Sequence, residues 1–325
     1  MSPRSDRRGA DRAWPESRRC LYRVYGLSVE SELELPELVP IAKHAPQVSI
    51  CFGSVPESLE EKIFQWSWCE ASRNEFLFTI KNVARYYVAD GCRITIDRRM
   101  GLNSGVPLSD IRLWLLGSAF GALLHQRGLL PLHVSAVQAP TGVWAFTGES
   151  GEGKSTLAGF LNKRHGWRLV SDDVCVIDQN GVAPIIQPGP RKLKLWPDAM
   201  AHLGFNNCKR TRDLSNTEKF QIYLPGEDGY QPEALRAIVM LESGENGESA
   251  TIQKLSGLEA FNACLNTVYR PYMDKCFKLP EQRIVELTRL CQSIEVFRFR
   301  RPRSLHDFES NLQPLLSLIG GSESS

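Results

Sequence analysis

The chain has no apolar run long enough to cross a bilayer. Its longest, Leu113 to Leu124, is 12 residues, where a helical span needs about 20. The first twenty residues are rich in arginine and lack an apolar core, so a secretory signal is not expected. Charge of one sign is also missing: 39 basic against 37 acidic residues leave a formal +2. That balance gives no global attraction to nucleic acid or to a membrane surface. The nine cysteines include no C-x-x-C pair and no Cys/His cluster at metal-ligand spacing. A disulfide scaffold and a structural zinc site are therefore not expected, and scattered thiols fit a reducing cytoplasm. No internal repeat is present. What remains is ordinary soluble composition, 42% hydrophobic and 23% charged, in 325 residues, enough for one large or two moderate domains.

Against that background one segment stands out. Gly148-Glu-Ser-Gly-Glu-Gly-Lys154-Ser155-Thr156 satisfies G-x-x-x-x-G-K-[ST], the phosphate-binding loop of P-loop nucleotide enzymes. Gly148, Gly151 and Gly153 permit backbone angles that a Cβ would forbid, so successive N–H groups converge on phosphate oxygens. Lys154 supplies a cation for the β- and γ-phosphates, and the Ser155 hydroxyl suits Mg²⁺. Val143 to Thr147 reads as a buried strand entering the loop. Thr156 to His165 reads as the following helix, stopped at Gly166. Residues Gly148, Glu149, Ser150, Gly151, Glu152, Gly153, Lys154, Ser155 and Thr156 are thus the expected phosphate-binding loop. Only the backbone of Glu149 and Glu152 need face a triphosphate, so their carboxylates are expected to point outward.

The expected class is α/β: a P-loop nucleotide-binding domain with a smaller β-rich domain before it. Residues 1–18, with Arg4, Arg7, Arg8, Arg12 and Arg18, read as a disordered basic arm, and 321–325 as a disordered tail. From 19 to 104 the pattern is β-like, with strands expected at 21–24, 47–52, 75–80, 84–88 and 92–96 and a helix at 58–64. Residues 105–320 form the expected catalytic domain. It should hold a helix over 108–128, a strand over 130–137 containing His133, and a strand over 167–178 that breaks at Asp172-Asp173. Further strands are expected at 235–241 and 294–299, helices at 258–269 and 280–291, and an amphipathic segment at 305–319.

Asp172 and Asp173 follow Lys154 by one helix and one strand, which returns them to the sheet edge where open α/β folds bind ligands. Adjacent carboxylates on a strand point in opposite directions. One is expected to reach Mg²⁺ and the other to act as a base toward an acceptor hydroxyl. A solvated Asp-Asp at a strand end is the bland alternative, and for His133 it is a packed, hydrogen-bonded ring. Arg298, Arg300, Arg301 and Arg303 could stabilise a transferring phosphoryl group or simply line a solvated strand face, and the same holds for Lys219.

The order His133, then Gly148-x-Ser-Gly-x-Gly-Lys-Ser, then Leu169-Val-Ser-Asp-Asp173 resembles the HPr kinase/phosphorylase group. Pro188-Gly-Pro-Arg191-Lys-Leu-Lys194-Leu-Trp196 resembles the related proteins of peptide biosynthesis clusters, including lasso peptide clusters. Tyr25-Gly26-Leu27 and Leu33-Glu-Leu-Pro36 resemble the first part of the same relatives. The resemblance implies an HPr-kinase-type fold over roughly 105–320 and a Mg²⁺–ATP-dependent serine kinase whose loop residues 148–156 bind ATP. Its acceptor would be a peptide or small protein such as a lasso peptide precursor. It implies Asp172 as general base with His133 and Lys154 in the catalytic set, and Asp173 with Ser155 at the metal. Substrate or phosphate contacts are implied for Arg191 and Lys194 by the resemblance and are expected of Lys219, Arg298 and Arg300 from their charge alone; the resemblance also implies homo-oligomers. The Arg191 segment lacks the family's R-G-x-G spelling, which separates this chain from the bifunctional enzymes. HPr itself, a small-molecule hydroxyl, or a non-catalytic nucleotide-binding role remain the alternatives.

Overall fold

The computed structural model describes residues 19–42, 44–98, 105–190, 192–208, 210–212, 218–224, 231–245, 247–304 and 307–320. The expected arm at 1–18 and tail at 321–325 lie outside them, as does Arg191. The architecture is mixed α/β with several sheets. No helix among the described residues is long and apolar enough to cross a membrane.

The first sheet uses residues 20–97 in the spatial order 39–40, 20–24, 27–31, 48–52, 93–97, 84–89, 75–80, 69–71, 64–66. Strands 27–31, 48–52 and 93–97 run parallel to their neighbours in that group, and the remaining pairs are antiparallel. The helix expected at 58–64 is absent. Exposed Glu60, Glu61 and Lys62 leave that segment without an apolar stripe, and Glu70 captures both the Leu59 amide and the Ser58 hydroxyl. Arg85 takes the carbonyls of Pro56 and Glu57. A helix would have to give up these bonds.

One face of this sheet packs on the segment 108–126, with Phe76, Tyr86, Ile94, Phe120 and Leu124 in a core that also takes in Tyr269 and Met273. Apolar burial therefore runs on from the first sheet into the residues that follow it. Polar contacts also join the two parts: Tyr25 N–H donates to Pro188 O at 2.8 Å, and Arg112 pairs with Glu37 at 2.8 Å. The segment 108–126 is helical throughout but opens into a π-turn at Leu115–Ala119.

The second sheet holds the loop. Strand Gly142–Thr147 lies between antiparallel Ser135–Ala139 and the long parallel strand Glu233–Gly244, whose far side carries parallel Glu295–Pro302. Alternate residues of these strands bury into two cores: Trp144, Phe146, Val239 and Phe299 on one face, Val143, Ala145 and Ile238 on the other. The strand expected over 130–137 divides. Leu130–Leu132 pairs with Cys175–Asp178, while Ser135–Ala139 pairs with the loop strand and with Arg168–Ser171. His133 stands at the break, its amide bonded to Thr267 O. A small third sheet, Lys192–Leu195 with Phe220–Tyr223 and Arg210–Arg212, closes over the loop helix.

Candidate functional site

Three of the loop's residues take positive φ: Gly148 at 141°, Gly151 at 96° and Gly153 at 81°. At Gly148 the requirement is also spatial, since a Cβ there would lie 2.6 Å from Leu241 O. Gly153 caps the helix Lys154–His165, which stops at Gly166 with φ 69°. Its leading amides have no intrahelical acceptor and point out of the first turn, where the helix end favours an anion. Lys154 is buried, and its Nζ donates to the carbonyls of Gly148 and Glu149 at 2.8 and 3.1 Å. Burial lowers its pKa, partly offset by the negative charge of Asp172 and Asp173.

The acid pair sits where the strand of 168–178 breaks. Asp172 is 2% exposed. Its Oδ1 accepts from Ser155 Oγ at 2.8 Å and from Ser135 Oγ, and its Oδ2 accepts the Lys194 amide at 2.8 Å. Burial pushes its pKa up against those hydrogen bonds. Asp173 has φ 81°, a left-handed position that Asp tolerates at a cost of about 1–3 kcal/mol. This turn sends its carboxylate away from Asp172. Burial would raise the Asp173 pKa too, but Lys194 and His133 outweigh it and hold the group well below the usual carboxylate range. Lys194 Nζ lies 2.7 Å from Oδ2.

His133 Nδ1 is 2.9 Å from Asp173 O and 3.3 Å from its Oδ1. Both are acceptors, so Nδ1 carries a proton, and in the neutral ring Nε2 is left as an acceptor. His133, Ser135, Lys154, Ser155, Asp172, Asp173, Lys194 and Lys219 line one cavity of about 320 Å³ with Ser150, Gly151, Gly153 and Thr156 of the loop. Lys219 also stacks on Trp196 at 5.3 Å.

Alternation along Glu295–Pro302 sorts the arginines. Arg301 is buried, donates to Glu152 O at 3.2 Å and lies over Phe308 at 5.2 Å. Just beyond the strand, Arg303 grips the Glu152 carboxylate. Arg298 pairs with Glu242 and Glu259 and lines a separate cavity of about 820 Å³ beside Gly148 and Glu149. Arg300 pairs with Glu248 near the surface. Arg298 and Arg300 are thus directed elsewhere than the phosphate cavity, while Arg301 and Arg303 meet the loop. Glu152 departs from the outward pose expected of it: Arg303 and Ser243 Oγ, the latter at 2.8 Å, hold it against the protein. Glu149 is exposed, as expected.

Ser135 escaped sequence reasoning, and Arg301 was named there without being singled out. Ser135 had no motif to mark it, and Arg301 was one of four similar arginines whose facing only the strand register decides. Among the described residues, no group of three or more His, Cys, Asp or Glu is arranged to hold a metal by itself.

No family model and no curated protein matches the chain. Among solved structures, the Hpr(Ser) kinase/phosphatase from Coxiella burnetii is similar over 58% of this chain and 96% of its own, at 11% identity and a TM-score of 0.28. A likeness that low transfers neither fold nor function.

Proposed function

We propose that this protein is a Mg²⁺–ATP-dependent phosphotransferase that moves the γ-phosphate of ATP to a hydroxyl. The observation that carries the reading is the Ser155–Asp172 hydrogen bond of 2.8 Å beside the His133–Asp173 contact, all lining the cavity at the glycine loop. Residues Gly148 to Thr156 would take the phosphates of ATP through their amides and Lys154. A hydroxyl and a carboxylate are the hard oxygen donors that suit Mg²⁺, which binds through one or two carboxylates plus substrate phosphates and needs no larger protein cluster. Ser155 and Asp172 would hold it, and when bound it would neutralise charge on the transferring group.

This departs from the resemblance: Asp172 moves to the metal side, and Asp173 orients His133 as the base instead of holding the metal. Asp172 is buried and its oxygens are committed to Ser135, Ser155 and the Lys194 amide, which suits the metal side. His133 offers Nε2 as the proton acceptor, oriented through Nδ1 by Asp173, whose retained charge would stabilise the imidazolium. In the transfer the acceptor oxygen forms the new bond to Pγ, ADP leaves with the bridging oxygen, and the hydroxyl proton passes to His133. Lys219 adds positive charge around the phosphoryl group, and Lys194, paired with Asp173, borders the same cavity.

A serine of a peptide or small protein, including a lasso peptide precursor, is the acceptor the sequence resemblance favours. A homo-oligomer and a cytoplasmic setting belong to the same proposal. Incubation with γ-labelled ATP and candidate acceptors tests the reading: label should move to an acceptor, and Lys154→Ala should abolish transfer. A fully active Lys154→Ala protein would overturn it.

A further inference from the structure

A second cavity, of about 400 Å³, backs onto the phosphate cavity, and His133, Asp173 and Lys194 line both. The rest of its wall comes from elements outside the nucleotide loop, notably the π-turn at 115–119 and the start of the helix Pro271–Phe277. Single π-turns inside α-helices occur disproportionately at functional sites, because the extra residue re-aims side chains. Here the turn brings Ser118 to the cavity.

Ser118 is fully buried, yet its Oγ has no hydrogen-bond partner, and neither does the buried Nε1 of Trp114 on the same wall. Buried donors are rarely left unpaired unless a ligand or water meets them. The third group is Arg270. It takes a left-handed φ of 47° at the start of its helix, and its guanidinium donates to the hydroxyls of Tyr269 and Tyr272 at 2.9 and 3.0 Å. Among the described residues no carboxylate is paired with it, whereas Lys194, which also lines the cavity, is neutralised by Asp173. The cavity therefore carries one uncompensated cation, two unpartnered donors, and His133 at its border with the phosphate cavity.

We propose that this second cavity is the acceptor site and that it selects a hydroxyl compound bearing an anionic group. The hydroxyl meets His133, the anion meets Arg270, and Trp114 Nε1 and Ser118 Oγ donate to the remaining acceptor oxygens. This rests on the phosphotransferase reading above. A volume of about 400 Å³ suits a small ligand or one residue of a larger one. A free hydroxy acid and a serine beside an acidic residue present the same chemistry, so both enter the test.

The full-length protein is assayed for acceptor-dependent ADP release with matched pairs: glycerate against glycerol, N-acetylserine against N-acetylserinol, and a seryl peptide with a neighbouring aspartate against its asparagine version. The anionic member of at least one pair should exceed its neutral partner in kcat/KM by tenfold or more. Which pair responds tells free acid from peptide. Arg270→Gln should erase that preference through KM while ADP affinity, measured by calorimetry, stays at the wild-type value. Trp114→Phe, which removes only the indole N–H, should raise the same KM several-fold and guards against a misfolded Arg270 variant. Equal use of charged and neutral partners overturns the proposal, and so does an absence of acceptor-dependent turnover in every pair. Wild-type protein that fails to bind ATP would instead sink the phosphotransferase reading itself.

Discussion

Lys194 holds Asp173 by an ion pair of 2.7 Å, and its own backbone amide, 2.8 Å from Asp172 Oδ2, ties the same residue to the other acid. The strand Lys192–Leu195 therefore fixes both carboxylates at once, and the pair cannot be read as two independent acids. The ammonium is the leading reason that Asp173 stays ionised in spite of burial.

Replacing Lys194 by methionine keeps the amide bond to Asp172 and removes only the charge on Asp173. The Asp173 pKa should then rise, because burial acts with one counter-charge fewer. In the wild type Lys194 and His133 hold the Asp173 carboxyl well below the usual carboxylate range. The Asp173 carboxyl carbon, followed by NMR, should titrate at higher pH in Lys194→Met than in the wild type. An unchanged midpoint would mean that the ammonium does not keep this carboxylate ionised.

The contact between His133 and Asp173 makes a second expectation. His133→Gln retains a polar side chain but offers no basic nitrogen, and phosphoryl transfer should fall by about 10²–10⁴-fold. Nucleotide affinity should hold, since no loop residue is bonded to the ring among the contacts described. Added imidazole should return part of the rate to a His133→Ala protein. If both variants transfer phosphate at the normal rate, the proton goes elsewhere and Asp172 regains its claim as base.

Asp172→Asn separates the two acids. The Ser155 hydroxyl would still find an acceptor in the amide oxygen, so the fold should survive, but a hard anionic ligand is lost. Affinity for ATP in Mg²⁺ should drop by about tenfold or more while affinity in EDTA stays near the wild-type value. Calorimetric titration under both conditions reads the difference directly. Equal affinity changes with and without Mg²⁺ would argue against a metal-side role.

Much of this site could be read from the sequence because its parts are local. The spacing of Gly148, Gly151, Gly153 and Lys154 dictates a loop, and strand and helix flank it at 142–147 and 154–165. The break at Asp172-Asp173 was also legible. What failed depended on distant partners. Nothing near Ser58 announces that Glu70 will cap its segment out of a helix. The left-handed φ of Asp173, which turns its carboxylate toward His133 and Lys194, follows from long-range pairing of the flanking strands. The facing of Arg301 against Arg300 is fixed by parallel register with Ser243 and Glu242. Local chemistry was readable, and relative facing was not.

The buried ion cluster behind the second cavity gives the last expectation, on stability. Asp274, in the helix Pro271–Phe277, accepts from Arg283 Nε at 3.1 and 3.0 Å, and His125 Nδ1 lies 3.2 Å from its Oδ1. Burial would raise its pKa, but the neighbouring His125 and the hydrogen bonds and charge of Arg283 bring it down to about 2. An unfolded aspartate titrates near 3.9, so as pH falls the unfolded chain takes up this proton first. The stabilisation is therefore complete above about pH 4 and is lost as pH drops toward 2. It amounts to about 2 kcal/mol, and with the side chain only 12% exposed little of it is screened. Asp172, whose pKa is raised, works in the opposite sense and loses stability as pH rises through its folded value. Asp274→Asn should be less stable at neutral pH, because Arg283 is left buried beside a neutral partner. It should also lose about 2 kcal/mol less than the wild type between pH 5 and pH 2. Urea unfolding at a series of pH values measures both. Parallel pH slopes in the two proteins would show that the carboxyl of Asp274 does not carry this acid sensitivity.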